Sequence, residues 1–308
     1  MAQNKVTYSI CVANLNMGNT LEAALESVLN QIDERFEVIV VDDGSTDDSL
    51  SKLENLKLRH PNLRTRYLEK DSSRTLAETR NISVREALGE YCLLHIDCDD
   101  LWEPYILDFM KVFHAIEGLL QEDILLHGHQ LNVGKTSFLL QHGPYRYGHM
   151  VEDRDMWFRM AQMDKYIPLE HVVFRTRMPL STKQKLQKKF FLTGRILSDE
   201  IRTGNKFGFY FTNLWRNYMN QPFDLRAYKV AIYPLCKIRA WKLGPIIENE
   251  QLAKWNDLKV RAQQLGGTVF EIFEKRGKSF NPSELSQEGQ WIFSRKSTEA
   301  TISELPEI

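Results

Sequence analysis

The chain has 308 residues, of which 43% are hydrophobic and 26% are charged, and its formal net charge is -1. A near-neutral charge gives no overall attraction for nucleic acids, and the sequence contains no long apolar run of the kind that spans a membrane. The four cysteines are scattered without CxxC pairs, and the N-terminus lacks the apolar segment of a signal peptide. These features predict a cytoplasmic protein with one large domain, or with one domain and an appendage.

Strand-like and helix-like segments alternate from the N-terminus to the loop that begins at Asp97. The predicted strands are 6–13, 36–41, 63–68 and 91–96, and the predicted helices are 20–31, 49–60 and 76–87. The near-continuous β-branched run at 36–41 is typical of a strand buried on both faces of a parallel sheet. The alternation predicts an open, mostly parallel, Rossmann-like α/β sheet with right-handed crossovers.

Polar residues follow three of these predicted strands. They are the segments 14–16 (Asn-Leu-Asn), 42–43 (Asp-Asp) and 97–100 (Asp-Cys-Asp-Asp). Because ligands of open α/β sheets bind beyond the carboxyl ends of the strands, these segments should converge on one crevice. Carboxylate oxygens are the ligands that Mg²⁺ and Mn²⁺ prefer, so the pattern predicts a nucleotide-type site with a cation. Taken alone, the turn that begins at Asp42 is equally consistent with a helix cap.

The predicted elements continue beyond this loop. They are a helix at 105–120, an edge strand at 123–129, a helix that begins at Glu152 and a strand at 166–174. Glu152 and Asp153 serve either the site or the positive end of their own helix. His127 and His129 fit a structural pair better than a metal site, since no third ligand is close in sequence.

The region 183–242 has a different composition, with 13 Lys or Arg residues against 3 Asp or Glu residues. Four aromatic residues recur there at helical spacing: Phe207, Phe211, Trp215 and Tyr218. One interpretation is an accessory helical layer with solvated charges. The other is a surface for a phospholipid leaflet or a polyprenyl-phosphate acceptor, because basic side chains beside aromatic rings are typical of membrane interfaces. Nucleic-acid binding fits less well, since no recognised motif accompanies the charge.

Six motifs, and their order along the chain, resemble those of family 2 glycosyltransferases of the GT-A fold. They are the segments 9–16, 21–31, 36–47, 79–81, 96–100 with Pro104, and 152–159. The resemblance extends over roughly residues 6–180. It implies a nucleotide-sugar-binding and catalytic domain at 1–182, followed by a mainly helical C-terminal region at 183–308 for the acceptor or a membrane surface.

The resemblance implies that a nucleotide-diphosphate sugar, UDP- or GDP-linked, lies across the strand ends. Ala13 and Leu15 would contact the base through their backbone, and Asp43 would accept a hydrogen bond from the base ring. Asp97 would contact the ribose or the sugar, and Arg80 would face the donor. The first strand ends in Asn-Leu-Asn, where the family commonly has Thr/Ser-Tyr-Asn, and this departure leaves the base open.

The resemblance also implies an inverting, metal-dependent transfer of one sugar by single displacement. Asp99 would bind Mn²⁺ or Mg²⁺, Asp153 would deprotonate the acceptor hydroxyl, and Glu152 and Asp155 would position the base or the acceptor. The Gln-x-x-Arg-Trp signature of polymerising members is absent, which favours single transfer. The acceptor, a glycan, a lipid-linked sugar or a protein, stays open. The alternatives are a non-catalytic nucleotide-sugar or glycan-binding module and a nucleotidyltransferase, whose basic glycine-rich loop is missing at 14–19.

Overall fold

The computed structural model describes residues 5–143, 145–146, 152–179, 193–202, 223–244 and 255–305. Nine strands are present in these ranges. They are β1 (Tyr8–Asn14), β2 (Phe36–Asp42), β3 (Leu63–Tyr67), β4 (Tyr91–Leu94), β5 (Asp100–Trp102), β6 (Leu125–Gly128), β7 (Leu131–Lys135), β8 (Tyr166–Pro168) and β9 (Arg175–Arg177). The first four strands confirm the predicted positions to within a few residues.

Eleven α-helices lie in the same ranges. They are α1 (Gly18–Leu29), α2 (Ser49–Arg59), α3 (Leu76–Glu86), α4 (Ile106–Leu120), α5 (Thr136–His142), α6 (Glu152–Gln162), α7 (Thr193–Arg202), α8 (Phe223–Leu243), α9 (Trp255–Leu265), α10 (Val269–Glu274) and α11 (Gln287–Phe293). Helix α3 starts at a capping box, in which Thr75 accepts from the backbone of Glu78 and the Glu78 side chain accepts from the backbone of Thr75. The predicted helices between the first four strands are therefore confirmed.

Seven strands form one sheet in the order β3-β2-β1-β4-β7-β6-β8. Strands β3, β2, β1 and β4 run parallel to one another, and β7 is antiparallel to both β4 and β6. Strands β5 and β9 form a separate antiparallel pair. The open, mostly parallel α/β sheet with a helical C-terminal region is thus confirmed. In the half of the sheet formed by β7, β6 and β8, the chain direction reverses at β7. The sequence patterns did not predict this antiparallel strand.

Two predictions for this part of the sheet were wrong. The predicted edge strand at 123–129 is interior, because the unpredicted strand β7 folds back beside β6 and β8 pairs on its other side. The predicted strand at 166–174 is shorter than expected, since β8 ends at Pro168, and the next strand, β9, begins only at Arg175 and pairs with β5 in the other sheet. The first difference comes from the local hairpin of β6 and β7 together with the pairing of β8, and the second comes from the pairing of β9 with the distant strand β5.

The core lies on both faces of the large sheet. In β2, Val38 and Val40 belong to one apolar cluster, whereas Ile39 and Val41 belong to the other, as expected for a strand buried on both faces. Among the described helices, none has the length and apolar character needed to cross a bilayer.

The C-terminal helices pack against this core. Phe293 of α11 lies 6.3 Å from Phe109 and 6.1 Å from Phe174, measured between ring centroids. Helix α9 contacts α6 and β8, and Leu169 forms a parallel bridge with Gly267. The division of the chain at residue 182 stays a prediction, and the aromatic residues from Phe207 to Tyr218 lie outside the described residues.

Candidate active site

Three carboxylates meet in the loop that follows β4. One oxygen from each of Asp97, Asp99 and Asp100 lies within 4.8 Å of the others. Asp99 and Asp100 are buried and Asp97 is partly exposed. Within the described ranges, no other group of three His, Cys, Asp or Glu residues has this spacing. Such a set of hard oxygen ligands can hold a divalent cation.

Arginines compensate the charge of this acidic cluster, Asp97, Asp99 and Asp100. Arg177 Nη2 lies 3.1 Å from Asp97 Oδ2 and 3.7 Å from Asp99 Oδ1, and its Nε donates to Asp100 Oδ1 at 3.0 Å. Arg175 Nη1 donates to the same Asp100 oxygen at 2.7 Å. Burial raises the pKa of Asp100 above its ordinary value, although both arginines act in the opposite direction.

Arg80 connects the acidic cluster to the start of α6. Its Nη2 donates to Asp97 Oδ1 at 2.9 Å, and its Nη1 donates to Glu152 Oε1 at 2.7 Å. The capping box of α3 fixes the helix that carries Arg80. Burial raises the pKa of Glu152 to about 7, although the Arg80 guanidinium opposes the shift. Three separate segments, α3, the loop after β4 and α6, are therefore joined through one guanidinium.

Asp153 is the second residue of α6 and is half-buried. Its negative charge contributes to the raised pKa of its neighbour Glu152 and favours the charged form of Arg80. Asp155 has different partners, because its Oδ2 accepts from Arg159 Nε at 2.9 Å and lies 3.6 Å from Arg146 Nε. The acidic residues at the start of α6 therefore have two different sets of partners. Glu152 is linked through Arg80 to the acidic cluster, whereas Asp155 contacts Arg146 and Arg159.

The end of β1 lies beside the acidic loop, and the loop after β2 is hydrogen-bonded to the loop after β1. Cys98 Sγ donates to the carbonyl oxygen of Ala13 at 3.8 Å, which places the end of β1 against the acidic loop. Leu15 projects outward and is 48% exposed. The Asp43 carboxylate is paired with the Arg74 guanidinium, so the predicted base-binding carboxylate already has a cationic partner.

A buried polar network that was not predicted lies beneath the acidic loop. Asn132 on β7 is hydrogen-bonded to His95 Nδ1, and its Oδ1 accepts from Trp157 Nε1 at 3.1 Å. His95 has a left-handed backbone, with φ of 66°, and its Nε2 lies 3.2 Å from Tyr145 Oη. Burial lowers the pKa of His95 well below its ordinary value, so the ring is neutral. An asparagine between the apolar residues Leu131 and Val133 was the one signal that the sequence offered.

The predicted structural role of the two later histidines agrees with their contacts. His127 Nδ1 donates to Asn132 Oδ1 at 2.8 Å, and His129 Nε2 lies 3.0 Å from the carbonyl oxygen of His171. Burial lowers the pKa of His127 to about 4. Both rings thus belong to the packing around β6 and β7.

Comparisons with known proteins show similarity to glycosyltransferases over the N-terminal part of the chain. Residues 9–117 match the sequence model of Glycosyl transferase family 2. An uncharacterized glycosyltransferase of Rickettsia felis is 36% identical over 94 residues, which cover 30% of this chain and 15% of that protein. The Escherichia coli UDP-Glc:alpha-D-GlcNAc-diphosphoundecaprenol beta-1,3-glucosyltransferase WfaP is 27% identical over 128 residues, which cover 39% of this chain and 49% of that protein.

A solved structure is similar over more of the chain. The crystal structure of S. aureus TarS 1-349 in complex with UDP-GlcNAc has a TM-score of 0.49 and 16% sequence identity, over 89% of this chain and 93% of that one. This chain spans less than half the length of the two relatives above. The family match contains β1 to β5, the acidic cluster and most of α4. Residues 9–117 are therefore similar to a family 2 glycosyltransferase domain.

Proposed function

We propose that this chain transfers one sugar from a nucleotide-diphosphate sugar to an acceptor hydroxyl or phosphate by a single, inverting displacement. The observation that carries the proposal is the double contact of Arg80 with Asp97 and Glu152. It holds the acidic cluster and the acidic start of α6 on two sides of one buried guanidinium. A donor held at the cluster would therefore have its reacting carbon close to the side chains that begin α6.

The donor's nucleotide would lie over the ends of β1 and β2. Ala13 and Leu15 would contact the base through their backbone, and Asp43 would accept from the base ring, with Arg74 holding its carboxylate in place. The name of the E. coli relative specifies UDP-Glc, which makes UDP the first nucleotide to test and GDP the second. Arg80 and Asp97 would face the ribose and the sugar.

The acidic cluster fits a divalent cation, Mn²⁺ or Mg²⁺. Its oxygens are hard ligands, and Asp100 Oδ2 is buried without a hydrogen-bond partner among the described residues. Asp99 would be the main ligand, with Asp97 and Asp100 beside it. When bound, the cation would supply Lewis-acid neutralisation of the departing diphosphate.

Asp153 would be the general base. The acceptor oxygen forms a bond to the anomeric carbon as its proton passes to the Asp153 carboxylate, and the bond from that carbon to the diphosphate oxygen breaks. The nucleoside diphosphate leaves with the electron pair. Glu152, paired with Arg80, would position the first turn of α6 against the donor. General-base catalysis contributes roughly 10²–10⁴-fold to such steps.

The test separates binding from chemistry with two variants. Asp153→Asn should reduce release of UDP or GDP from UDP-glucose, UDP-GlcNAc or GDP-mannose by about 100-fold or more while nucleotide binding is kept. Asp99→Ala should abolish the Mn²⁺-dependent thermal stabilisation by the nucleotide, which is several degrees at saturation. Asp123→Ala, which removes a half-exposed acid paired with Lys135, is the matched control and should change neither result.

Other outcomes would support the alternatives. Turnover at the original rate in Asp153→Asn would contradict the assignment of the base. Nucleotide binding without turnover in the unaltered chain, across these donors, would favour a non-catalytic nucleotide-sugar or glycan-binding module. Release of pyrophosphate in place of nucleoside diphosphate would favour a nucleotidyltransferase.

We further propose that the region 183–242 contacts the cytoplasmic face of a membrane. The support is one face of α8, where Val230, Ile238 and Trp241 are exposed at helical spacing and Trp241 is 82% exposed. Lys237 is exposed on the same helix, so the surface is both apolar and basic. The chain should float with phosphatidylglycerol vesicles and less with phosphatidylcholine vesicles, and Trp241→Glu should weaken this binding. Equal recovery with both vesicles would contradict the proposal.

A further inference from the structure

One arginine lies where the acidic cluster would hold a cation. Arg177 reaches all three carboxylates, with contacts of 3.1 Å to Asp97, 3.7 Å to Asp99 and 3.0 Å to Asp100. Neither of the other two described arginines at the cluster does so. Arg175 contacts Asp100 alone, and Arg80 contacts Asp97 and then turns to Glu152.

The backbone explains how Arg177 comes to be there. Strand β9 pairs with β5 so that Arg177 stands directly opposite Asp100. The backbone N–H of Met178 donates to the carbonyl oxygen of Asp99 at 2.7 Å, which ties the next residue to the acidic loop. The pairing register of β9 with β5 therefore places the Arg177 guanidinium at the cluster.

The side chain of Arg177 is also the one that can leave. It is 46% exposed, whereas those of Arg175 and Arg80 are 20% and 12% exposed. A guanidinium binds phosphate oxygens as well as carboxylates, with the same planar fork of donors. Arg177 can therefore exchange carboxylates for a diphosphate without crossing the protein interior.

Arginines offset much of the negative charge of the cluster before any ligand arrives. Among the described residues, three arginines contact Asp97, Asp99 and Asp100, and one of them, Arg80, is shared with Glu152. A free divalent cation would then add positive charge to a partly neutralised site. A nucleoside diphosphate adds negative charge, so that the site can then bind both the cation and the guanidinium favourably.

The geometry points to Arg177 as a resident cation of the donor site, which competes with free divalent metal until a nucleoside diphosphate arrives and then transfers to the phosphates. This inference rests on the proposed function, since it takes the acidic cluster as the diphosphate site. It makes cation binding conditional on the donor, and it assigns Arg177 as a positioning residue for the diphosphate.

The experiment measures Mn²⁺ binding by electron paramagnetic resonance on the full chain without nucleotide. Arg177→Gln should bind Mn²⁺ about tenfold more tightly than the unaltered chain, because one competing charge has been removed from the site. Arg66→Gln, which removes a half-exposed arginine paired with the remote Glu86, controls for the change in net charge and should leave the affinity unchanged. Arg177→Lys, which keeps the charge, should give an intermediate affinity.

A second measurement follows UDP and GDP binding in excess EDTA. Arg177→Gln should weaken the metal-free affinity for the nucleotide that binds by about tenfold, because a phosphate contact is lost. Circular dichroism melts establish that each variant is folded. An Mn²⁺ affinity of Arg177→Gln equal to or weaker than that of the unaltered chain would overturn the inference, including the case where neither binds Mn²⁺. Tighter Mn²⁺ binding in a chain that turns over no donor would support the inference while the proposed transfer fails.

Discussion

Replacing Glu152 with Gln should remove a dependence of stability on pH. The Glu152 carboxyl is buried, one oxygen accepts from Arg80 at 2.7 Å, and the other has no partner among the described residues. Burial raises its pKa from 4.5 to about 7. Between these values the folded protein holds a proton that the unfolded chain has lost. The free energy of unfolding should therefore decrease as the pH rises from about 4.5 to about 7.

The size of the effect follows from the two pKa values. At about 1.4 kcal/mol for each pH unit, the difference between 4.5 and about 7 corresponds to about 3 kcal/mol. Glutamine cannot ionise and resembles the protonated carboxyl in shape. Glu152→Gln should therefore match the unaltered chain at low pH and become more stable than it at pH 8.

Urea unfolding followed by circular dichroism at intervals from pH 4.5 to pH 8 measures this difference. Subtracting the two curves cancels the contributions of other groups whose pKa changes on folding, including Asp100 and His127. The variant should gain about 2–3 kcal/mol over the unaltered chain across the range. Parallel stability curves would refute the reasoning, because they would mean that Glu152 titrates alike in the folded and unfolded states.

Three further substitutions test the supports of the site. Asn132→Leu should lower the free energy of unfolding by about 2 kcal/mol, because His95 and Trp157 lose a buried hydrogen-bond partner. It should also reduce the metal-dependent rise in melting temperature on nucleotide binding. An unchanged rise would mean that this network does not support the site. Thr75→Ala should cost about 1 kcal/mol in urea unfolding through loss of the α3 cap, and a neutral result would show that the capping box is dispensable. Phe293→Ala should cost about 3–5 kcal/mol in the same assay, and a cost below about 1 kcal/mol would mean that the cavity collapses.

The parallel half of the sheet could be predicted because its strands are apolar runs that end in polar turns. Every residue of β2 is buried, and the apolar pattern alone is sufficient to identify such a strand. The other half could not be predicted in this way. Strand β7 includes Asn132 and Gly134, and β9 is Arg-Thr-Arg, so the strand character of both depends on a pairing partner more than on side-chain pattern.

The same distinction holds at the site. The acidic residues could be selected from the sequence because their spacing follows a buried strand. Arg177 could not, since it meets Asp100 from 77 positions away only through the pairing of β5 with β9. Asn132 was missed for a similar reason, because its partners come from the loop after β4 and from α6. Charge compensation between distant segments is a tertiary property, and local patterns carry little information about it.

The position of Phe293 in the main core has a consequence for the order of events during synthesis. The parallel strands β1 to β4 leave the ribosome before α11 and can pair as they emerge. The aromatic niche formed by Phe109 and Phe174 is filled by a residue near the end of the described chain. Until that residue is synthesised, the nascent protein exposes apolar rings close to the strand pair that carries Arg177. Chaperone contact during translation should therefore concentrate on this face.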